Sequence, residues 1–173
     1  MDTHTENVHQ MTLRSWIEAG LSIPGVRDLH GDAGYLLNNM IAKYSLAADT
    51  YQLSEGAEQE MRTLGVDFQA VHKRRSFYGK KQPFIYEHPV PAGVVRNELL
   101  AGNHPSDALQ QLLVAAGPVA VLLRTEDQRL KEAKLDRTMP AGWKLGDNPF
   151  ARYDAVGIRL SQRQLKVTGA ICR

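Results

Sequence analysis

Apolar side chains in the first 72 residues recur mostly at the spacing of an α-helix. Over 32–49 they follow one another at steps of four, three and four residues, which predicts a helix with a buried face of Leu37, Ile41, Tyr44 and Ala48. Thr12 is an expected N-cap for a helix over 13–19 with Trp16 and Ile17 on its buried side, and Ser54 begins a further helix. This part of the chain therefore predicts a helical lobe.

The second half of the chain combines short apolar runs with helical segments. Phe84–Tyr86 is an aromatic run followed by Pro89 and Pro91, as expected for a strand that ends there, because proline donates no hydrogen bond to a sheet. Residues 118–123 are continuously apolar, which is typical of a strand covered on both faces. The remaining patterns predict helices over 92–100, 105–116 and 125–135, a long loop over 139–151, and strands over 152–160 and 164–171.

These elements predict a single domain of the α+β or α/β class. A helical lobe over about 12–72 precedes a small mixed sheet with helices over about 83–173. Residues 1–11 are a polar lead-in that we expect to be disordered. The length of 173 residues suits one domain, and 43% hydrophobic with 23% charged residues argue against disorder of the whole chain.

Composition narrows the possible functions only slightly. The net charge of +2 is small, so affinity for nucleic acid must come from local clusters of cations. Cys172 is the only cysteine, which excludes an internal disulfide and favours a reducing compartment. No apolar run approaches the roughly 20 residues that span a bilayer, and the first residues lack the apolar core of a secretory signal. We therefore expect a cytoplasmic protein without a membrane partner.

Acidic and imidazole side chains follow the two predicted strands. Glu87 and His88 end the first strand, and Glu126 and Asp127 follow the second. The connection is long enough for a parallel crossover, which would bring both pairs to one sheet edge. The three carboxylates would then bind Mg²⁺ or Mn²⁺, with His88 as general base. The alternative is structural, because acids favour the positive first turn of a helix and the earlier pair would lie in a solvent loop.

The segment Glu87-His88-Pro89-Val90-Pro91 resembles the opening motif of the HNH (ββα-metal) nucleases. In that family an acid or histidine and then a histidine precede an apolar residue and a proline. The resemblance would make Glu87 a metal ligand and His88 the base that activates water. Asn103 stands where the family has a central asparagine. The final motif histidine would fall at Gln110–Leu112, where none occurs, and the residues after the motif have a helical pattern where the family has a second strand.

A run of cations precedes the first of these strands. Five cationic and two aromatic side chains fall within nine residues, and no acid occurs between Asp67 and Glu87. Cations neutralise phosphate and aromatic rings stack on unpaired bases, so this basic segment predicts contact with nucleic acid. The alternative is a solvated loop whose aromatic rings face the core. The residues concerned are Lys73, Arg74, Arg75, Phe77, Tyr78, Lys80 and Lys81.

Two further residues are candidates for catalysis. His104, at a predicted helix start, would be a second acid or ligand, and the alternative is an ordinary turn residue. Arg152, after the long loop, would direct a guanidinium at a phosphate. The alternative for this arginine is an ion pair with Asp154 or Asp147.

The candidate residues together predict a nucleic-acid hydrolase of endonuclease type. In a metal-dependent form the carboxylates bind a divalent cation and His88 activates water. In a metal-free form, restricted to RNA, His88 and His104 share the acid and base roles while Arg152 stabilises charge. The alternative from another class is a non-enzymatic protein that binds nucleic acid or another protein. EDTA would abolish the activity of the first form and leave the second unchanged.

Overall fold

Helices and strands alternate along most of the chain in the computed structural model. The structure describes residues 6–26, 32–77, 79, 81–102 and 104–169. Within these residues it contains seven helices and five strands. The helices are α1 (Val8–Leu21), α2 (Asp32–Leu46), α3 (Glu55–Thr63), α4 (Ala92–Ala101), α5 (Ser106–Ala115), α6 (Arg124–Glu132) and α7 (Ala151–Ala155). The strands are β1 (Thr50–Ser54), β2 (His72–Lys73), β3 (Phe84–Glu87), β4 (Ala120–Leu123) and β5 (Leu160–Thr168).

The five strands form one mixed sheet in the order β2-β5-β1-β4-β3. β1 is parallel to β4, and β2 is parallel to β5. β5 runs antiparallel to β1, and β3 runs antiparallel to β4. A mixed sheet of this kind, with several helices in a layer of their own, belongs to the α+β class. The predicted class and the predicted mixed sheet are confirmed.

Four helices, α1, α2, α4 and α5, share one apolar core. The stripe predicted on α2 is confirmed at Leu37, Ile41 and Tyr44, which are buried there, whereas Ala48 is buried just beyond the end of the helix. Trp16, predicted to be buried, is 65% exposed because Ile17 takes the inward position on α1. None of the helices in the described residues has both the length and the apolar composition needed to cross a membrane.

β4 is covered on both faces, as its continuous apolar run predicts. On one face Val121 packs in a cluster with side chains of β1 and α3. On the other face Leu122 packs in a cluster with Leu130 of α6 and Tyr153 of α7. Successive residues of a strand point to opposite faces, so this single strand contributes to two apolar clusters.

The first helix begins earlier than predicted. The Asn7 side chain accepts a hydrogen bond from the backbone N–H of Gln10 at 3.0 Å, and the Gln10 side chain accepts one from the backbone N–H of Asn7 at 3.3 Å. This reciprocal capping box satisfies two backbone donors at the start of α1. The predicted cap at Thr12 is therefore wrong, and residues 8–11 are helical and not a disordered lead-in. Residues 1–5 lie outside the described part of the chain.

The central strand of the sheet lies inside the predicted helical lobe. β1 has Tyr51 and Leu53 buried with a polar residue between them, and two alternating positions are too few to distinguish a strand from a helix end. The two predicted lobes, over about 12–72 and 83–173, share both layers, because β1 lies in the sheet and α4 and α5 lie in the helical layer. The strand predicted over 152–160 is also wrong, since that segment contains α7 and meets β5 only at Leu160.

Candidate functional site

The two strands expected to position the site run antiparallel. β3 and β4 pair with Glu87 opposite Ala120 and with Phe84 opposite Leu123. Glu87 therefore lies beside the start of β4, whereas the acids that follow β4 lie beyond its other end. The predicted parallel crossover is wrong because α4 and α5, which connect the two strands, join the helical layer and do not cross over the sheet.

Glu126, a predicted metal ligand, has a structural role at that other end. Its Oε2 atom accepts a hydrogen bond from the backbone N–H of Leu123 at 2.8 Å and another from the Ser54 hydroxyl at 2.5 Å. Ser54 Oγ in turn accepts a hydrogen bond from the backbone N–H of Ala57 at 2.9 Å. A buried carboxylate thus holds the first turns of α3 and α6 together. These contacts agree with the structural alternative, in which Glu126 is an acid in the positive first turn of a helix.

Asp127 lies closer to Glu87 than the strand ends suggest. α6 turns back from the end of β4 and contacts β3, which carries Asp127 toward that strand. The charge of Asp127 acts on Glu87, and Lys131 pairs with Asp127 at 2.6 Å. The predicted metal ligands are thus divided between two places. Within the described residues, no three His, Cys, Asp or Glu side chains are grouped closely enough to hold a metal ion.

Arg152 is completely buried and lies at the centre of a hydrogen-bond network. Its guanidinium donates to the Glu87 carboxylate and to the carbonyl oxygens of His88 and Pro89. It also donates to the carbonyl oxygens of Leu135 at 2.7 Å and Asp136 at 3.3 Å. Five N–H groups are all that a guanidinium has, so no donor is left for a phosphate. Neither predicted role, the catalytic contact or the ion pair with Asp154 or Asp147, matches these bonds.

The pair at the end of β3 is shaped by burial and by this arginine. Burial raises the pKa of Glu87, and the Arg152 guanidinium acts against that rise. Burial lowers the pKa of His88 to about 4, and the positive charges of Arg152 and Lys43 add to the effect. His88 is therefore neutral at pH 7. A base with so low a pKa accepts protons weakly at that pH, because general bases work best when their pKa lies near the operating pH.

The basic segment is only partly exposed. Arg74 is 4% exposed and donates to the carbonyl oxygens of Leu46, Ala47, Ala48 and Gly169. Phe77 is buried and forms an edge-to-face contact with Phe84, their ring centroids 6.0 Å apart. Neither side chain is available to nucleic acid, because both are in the interior. The exposed members are Lys73, Arg75 and Lys81, whereas Tyr78 and Lys80, like Asn103 of the motif, lie outside the described residues.

A cleft that the motifs do not indicate lies between α4 and the loop over 136–150. Its volume is about 760 Å³. Cationic side chains come from both walls, Arg96 from α4 and Arg137 and Lys144 from the loop, and among the described residues Glu98 is the one acid that lines it. Trp143 lines the cleft as well, and its indole N–H donates to the carbonyl oxygen of Asn148 at 2.9 Å. Cations and an aromatic ring thus face one concave surface.

The cations of this cleft are not neutralised by close acidic partners. Within the described part of the chain, neither Arg96 nor Lys144 forms an ion pair. Arg137 is 92% exposed and has Asp136 at 3.6 Å, a distance at which an exposed pair contributes little. The lining therefore keeps a local positive charge, although the net charge of the chain is only +2.

A second, smaller depression continues the cleft along the helical layer. It has a volume of about 310 Å³ and shares Leu112 and Leu145 with the cleft. His104 lines this depression, and its Nε2 atom lies 3.2 Å from the carbonyl oxygen of Glu98. The structure places His104 at the turn before α5, so it lies beside the cleft and not at the end of β3.

Two groups of candidate residues therefore exist, one at the end of β3 and one in the cleft. The length of the loop over 139–151 is the sequence signal that points to the cleft, because long loops in small domains are often functional. Nothing in the sequence singles out Trp143 or Arg96, which are far apart in the chain. No family model matches the chain, and no curated protein or solved structure matches it either.

Proposed function

We propose that this protein binds nucleic acid in the cleft between α4 and the loop over 136–150. The presence of Arg96, Arg137, Lys144 and Trp143 in the lining of one cleft is the observation that carries the proposal. Cationic side chains neutralise backbone phosphates, and aromatic rings stack on bases. A cleft of about 760 Å³ is within the size range of small-ligand sites and accommodates a nucleotide unit.

The residues at the end of β3 favour binding over cleavage. Arg152 has its five donors engaged by the protein, and His88 has a pKa of about 4. Metal-free hydrolysis needs both a group that stabilises phosphate charge and a base suited to pH 7. Metal-dependent hydrolysis and the likeness to HNH nucleases stay predictions, and the proximity of Asp127 to Glu87 is the observation in their favour.

Fluorescence anisotropy with short labelled DNA and RNA strands tests the binding proposal. Replacing Arg96, Arg137 and Lys144 together by alanine is expected to weaken binding at least about tenfold, because up to three phosphate contacts are lost. The slope of log K against log salt should become shallower by about two to three for the same reason. Measurements between about 50 and 200 mM salt give both quantities.

A matched variant removes the same charge from another surface. Lys73, Arg75 and Lys81 are the exposed cations of the basic segment, and replacing all three by alanine leaves the cleft intact. We expect this variant to bind within about twofold of the wild type, since only the long-range field changes. If it loses as much affinity as the cleft variant, the interface does not lie in the cleft. If the wild type binds no strand at low salt, the proposed function is wrong.

The same samples test for hydrolysis. We expect the nucleic acid to remain intact with Mg²⁺, with Mn²⁺ and with EDTA. Cleavage that EDTA stops and that His88→Ala abolishes would replace the proposed function by the metal-dependent hydrolase. Cleavage of RNA in EDTA that is lost in both His88→Ala and His104→Ala would indicate the metal-free form.

A further inference from the structure

The indole of Trp143 is held in a defined position at the edge of the cleft. Its only side-chain donor is used by the Asn148 carbonyl oxygen, at 2.9 Å. Its backbone N–H donates to the Pro140 carbonyl oxygen at 3.1 Å, which closes a turn. The ring also packs against the apolar core of the helical layer. With its polar edge engaged and part of the ring against the core, the side chain offers apolar ring surface to a ligand in the cleft.

The loop that carries Trp143 is built from consecutive turns. The backbone N–H of Lys144 donates to the Asp147 carboxylate at 2.8 Å, and the backbone N–H of Asp147 donates to the Lys144 carbonyl oxygen at 2.9 Å. Asn148 connects this loop to α7, because its side chain donates a hydrogen bond to the Asp154 carboxylate at 2.9 Å. A ring held by a structured loop loses little freedom on binding, which favours affinity.

Unpaired nucleotides are the ligands that use such a ring. A base in a duplex is stacked on its neighbours and its faces are covered, whereas an unpaired base can stack on an aromatic side chain. Three cations that line the same cleft as the ring suit the phosphates that flank a stacked base. The second depression, beyond Leu112 and Leu145, gives a bound strand room to continue past the ring.

On the basis of the proposed function, we infer that the cleft is specific for single-stranded nucleic acid. Trp143 stacks on an unpaired base, and Arg96, Arg137 and Lys144 contact the flanking phosphates. The recognition is tolerant of sequence, because every base has a face that can stack. DNA and RNA share this chemistry, and the binding assay compares them directly.

Tryptophan fluorescence reports on this contact directly. The chain has two tryptophans, and Trp16 is exposed on α1, so Trp16→Phe leaves Trp143 as the only reporter. Titrating this variant with a single strand is expected to quench its emission with saturation, because a stacked base quenches indole. The duplex of the same sequence is expected to bind about tenfold more weakly and to leave the emission nearly unchanged.

Substitutions at Trp143 separate stacking from simple packing. Trp143→Ala is expected to weaken single-strand binding about tenfold and duplex binding less than about twofold, whereas Trp143→Phe keeps most of the single-strand affinity. Trp16→Ala is the matched control and should not change either affinity. Circular dichroism and thermal unfolding check that each variant folds, and the quenching experiment does not depend on any change at Trp143.

The outcomes distinguish this inference from the proposed function. If single strand and duplex bind equally and Trp143 emission is unchanged by saturating strand, the inference is overturned. The proposed function would still stand in that case, provided that the triple variant at Arg96, Arg137 and Lys144 loses affinity. Absence of binding to strand and duplex alike overturns both.

Discussion

The buried guanidinium of Arg152 should be one of the strongest single contributions to stability. Arg152→Met keeps a side chain of similar length and removes every donor. Five acceptors then lose their partner: the Glu87 carboxylate and the carbonyl oxygens of His88, Pro89, Leu135 and Asp136. The carboxylate is the costliest of these, because a partly buried charge would remain without a counter-ion.

The size of the effect follows from these contacts. Removing one partner of a buried ion pair costs about 3–5 kcal/mol, and each acceptor left unsatisfied in the interior costs about 1–3 kcal/mol. Most of the acceptors are only partly buried, so water can satisfy several of them after relaxation. We therefore expect a loss of about 5 kcal/mol in the free energy of unfolding. That is a third or more of the stability of an ordinary domain.

Two related substitutions should give smaller losses in a defined order. Arg152→Lys keeps the charge but offers three donors for five acceptors, so about 2–3 kcal/mol should be lost. Glu87→Gln keeps an acceptor for Arg152 and removes a carboxylate whose ionised form is already disfavoured by burial. The buried guanidinium then lacks its charged partner but keeps four carbonyl acceptors, so the loss should be about 3–4 kcal/mol, below that of Arg152→Met.

Urea unfolding at pH 7, followed by far-ultraviolet circular dichroism, measures all three variants. The slope of free energy against urea must be unchanged for the comparison to hold. The reasoning about Arg152 is refuted if Arg152→Met unfolds within about 1 kcal/mol of the wild type with the same slope. It is also refuted if Glu87→Gln costs more than Arg152→Met.

The remaining predictions concern pH and two further packing features. His88 has a pKa of about 4 when folded and near 6.5 when unfolded, so the unfolded chain binds more protons between these values. Stability should therefore fall by about 3 kcal/mol as pH drops through this window, and His88→Asn should remove that loss in urea titrations at pH 7 and pH 4. Gly56→Ala should lose stability in thermal unfolding despite its helical position, because a Cβ there would lie 2.8 Å from the carboxylate that caps α6. The control Gly93→Ala, with nothing within 4 Å, should gain up to about 1 kcal/mol. Arg74→Met should cost about 3–4 kcal/mol, and the exposed neighbour Arg75→Met less than about 0.5 kcal/mol.

Three results would contradict these predictions. A pH dependence that is the same in His88→Asn and the wild type would show that other groups cause the acid loss. Equal gains from the two glycine substitutions would mean that the close approach at Gly56 is relieved without cost. Equal effects at Arg74 and Arg75 would mean that the carbonyl contacts of the buried arginine add nothing to stability.

Local patterns in the sequence predict most of the helices and the strand β4. The stripe on α2 and the cap at Ser54 are confirmed because periodicity and capping depend on residues only three or four positions apart. The direction of β3 relative to β4 cannot be predicted from such local patterns. It depends on where α4 and α5 pack, and their partners α1 and α2 lie far away in the sequence.

The roles of the arginines could not be predicted for a related reason. Arg74 and Arg152 are buried among backbone carbonyl oxygens, and every residue type supplies a carbonyl. The sequence around such an arginine therefore has no acceptor signature, and the residue cannot be distinguished from an ordinary surface arginine. The cleft could not be predicted from the sequence either, because Arg96 and Trp143 come to line it only through the packing of a loop on a helix.

The hydrogen bond between the Ser54 hydroxyl and the Glu126 carboxylate affects where the protein can bind an anion. β1 and β4 are parallel neighbours, and each leads directly into a helix, α3 or α6. Paired helix beginnings at such a fork commonly attract phosphate, since both present unsatisfied amide hydrogens. Here a carboxylate of the chain itself takes that place, and Gly56 leaves room for it. The Glu126 carboxylate occupies the anion position between the two helix starts, so an external anion would have to bind at another place on the protein.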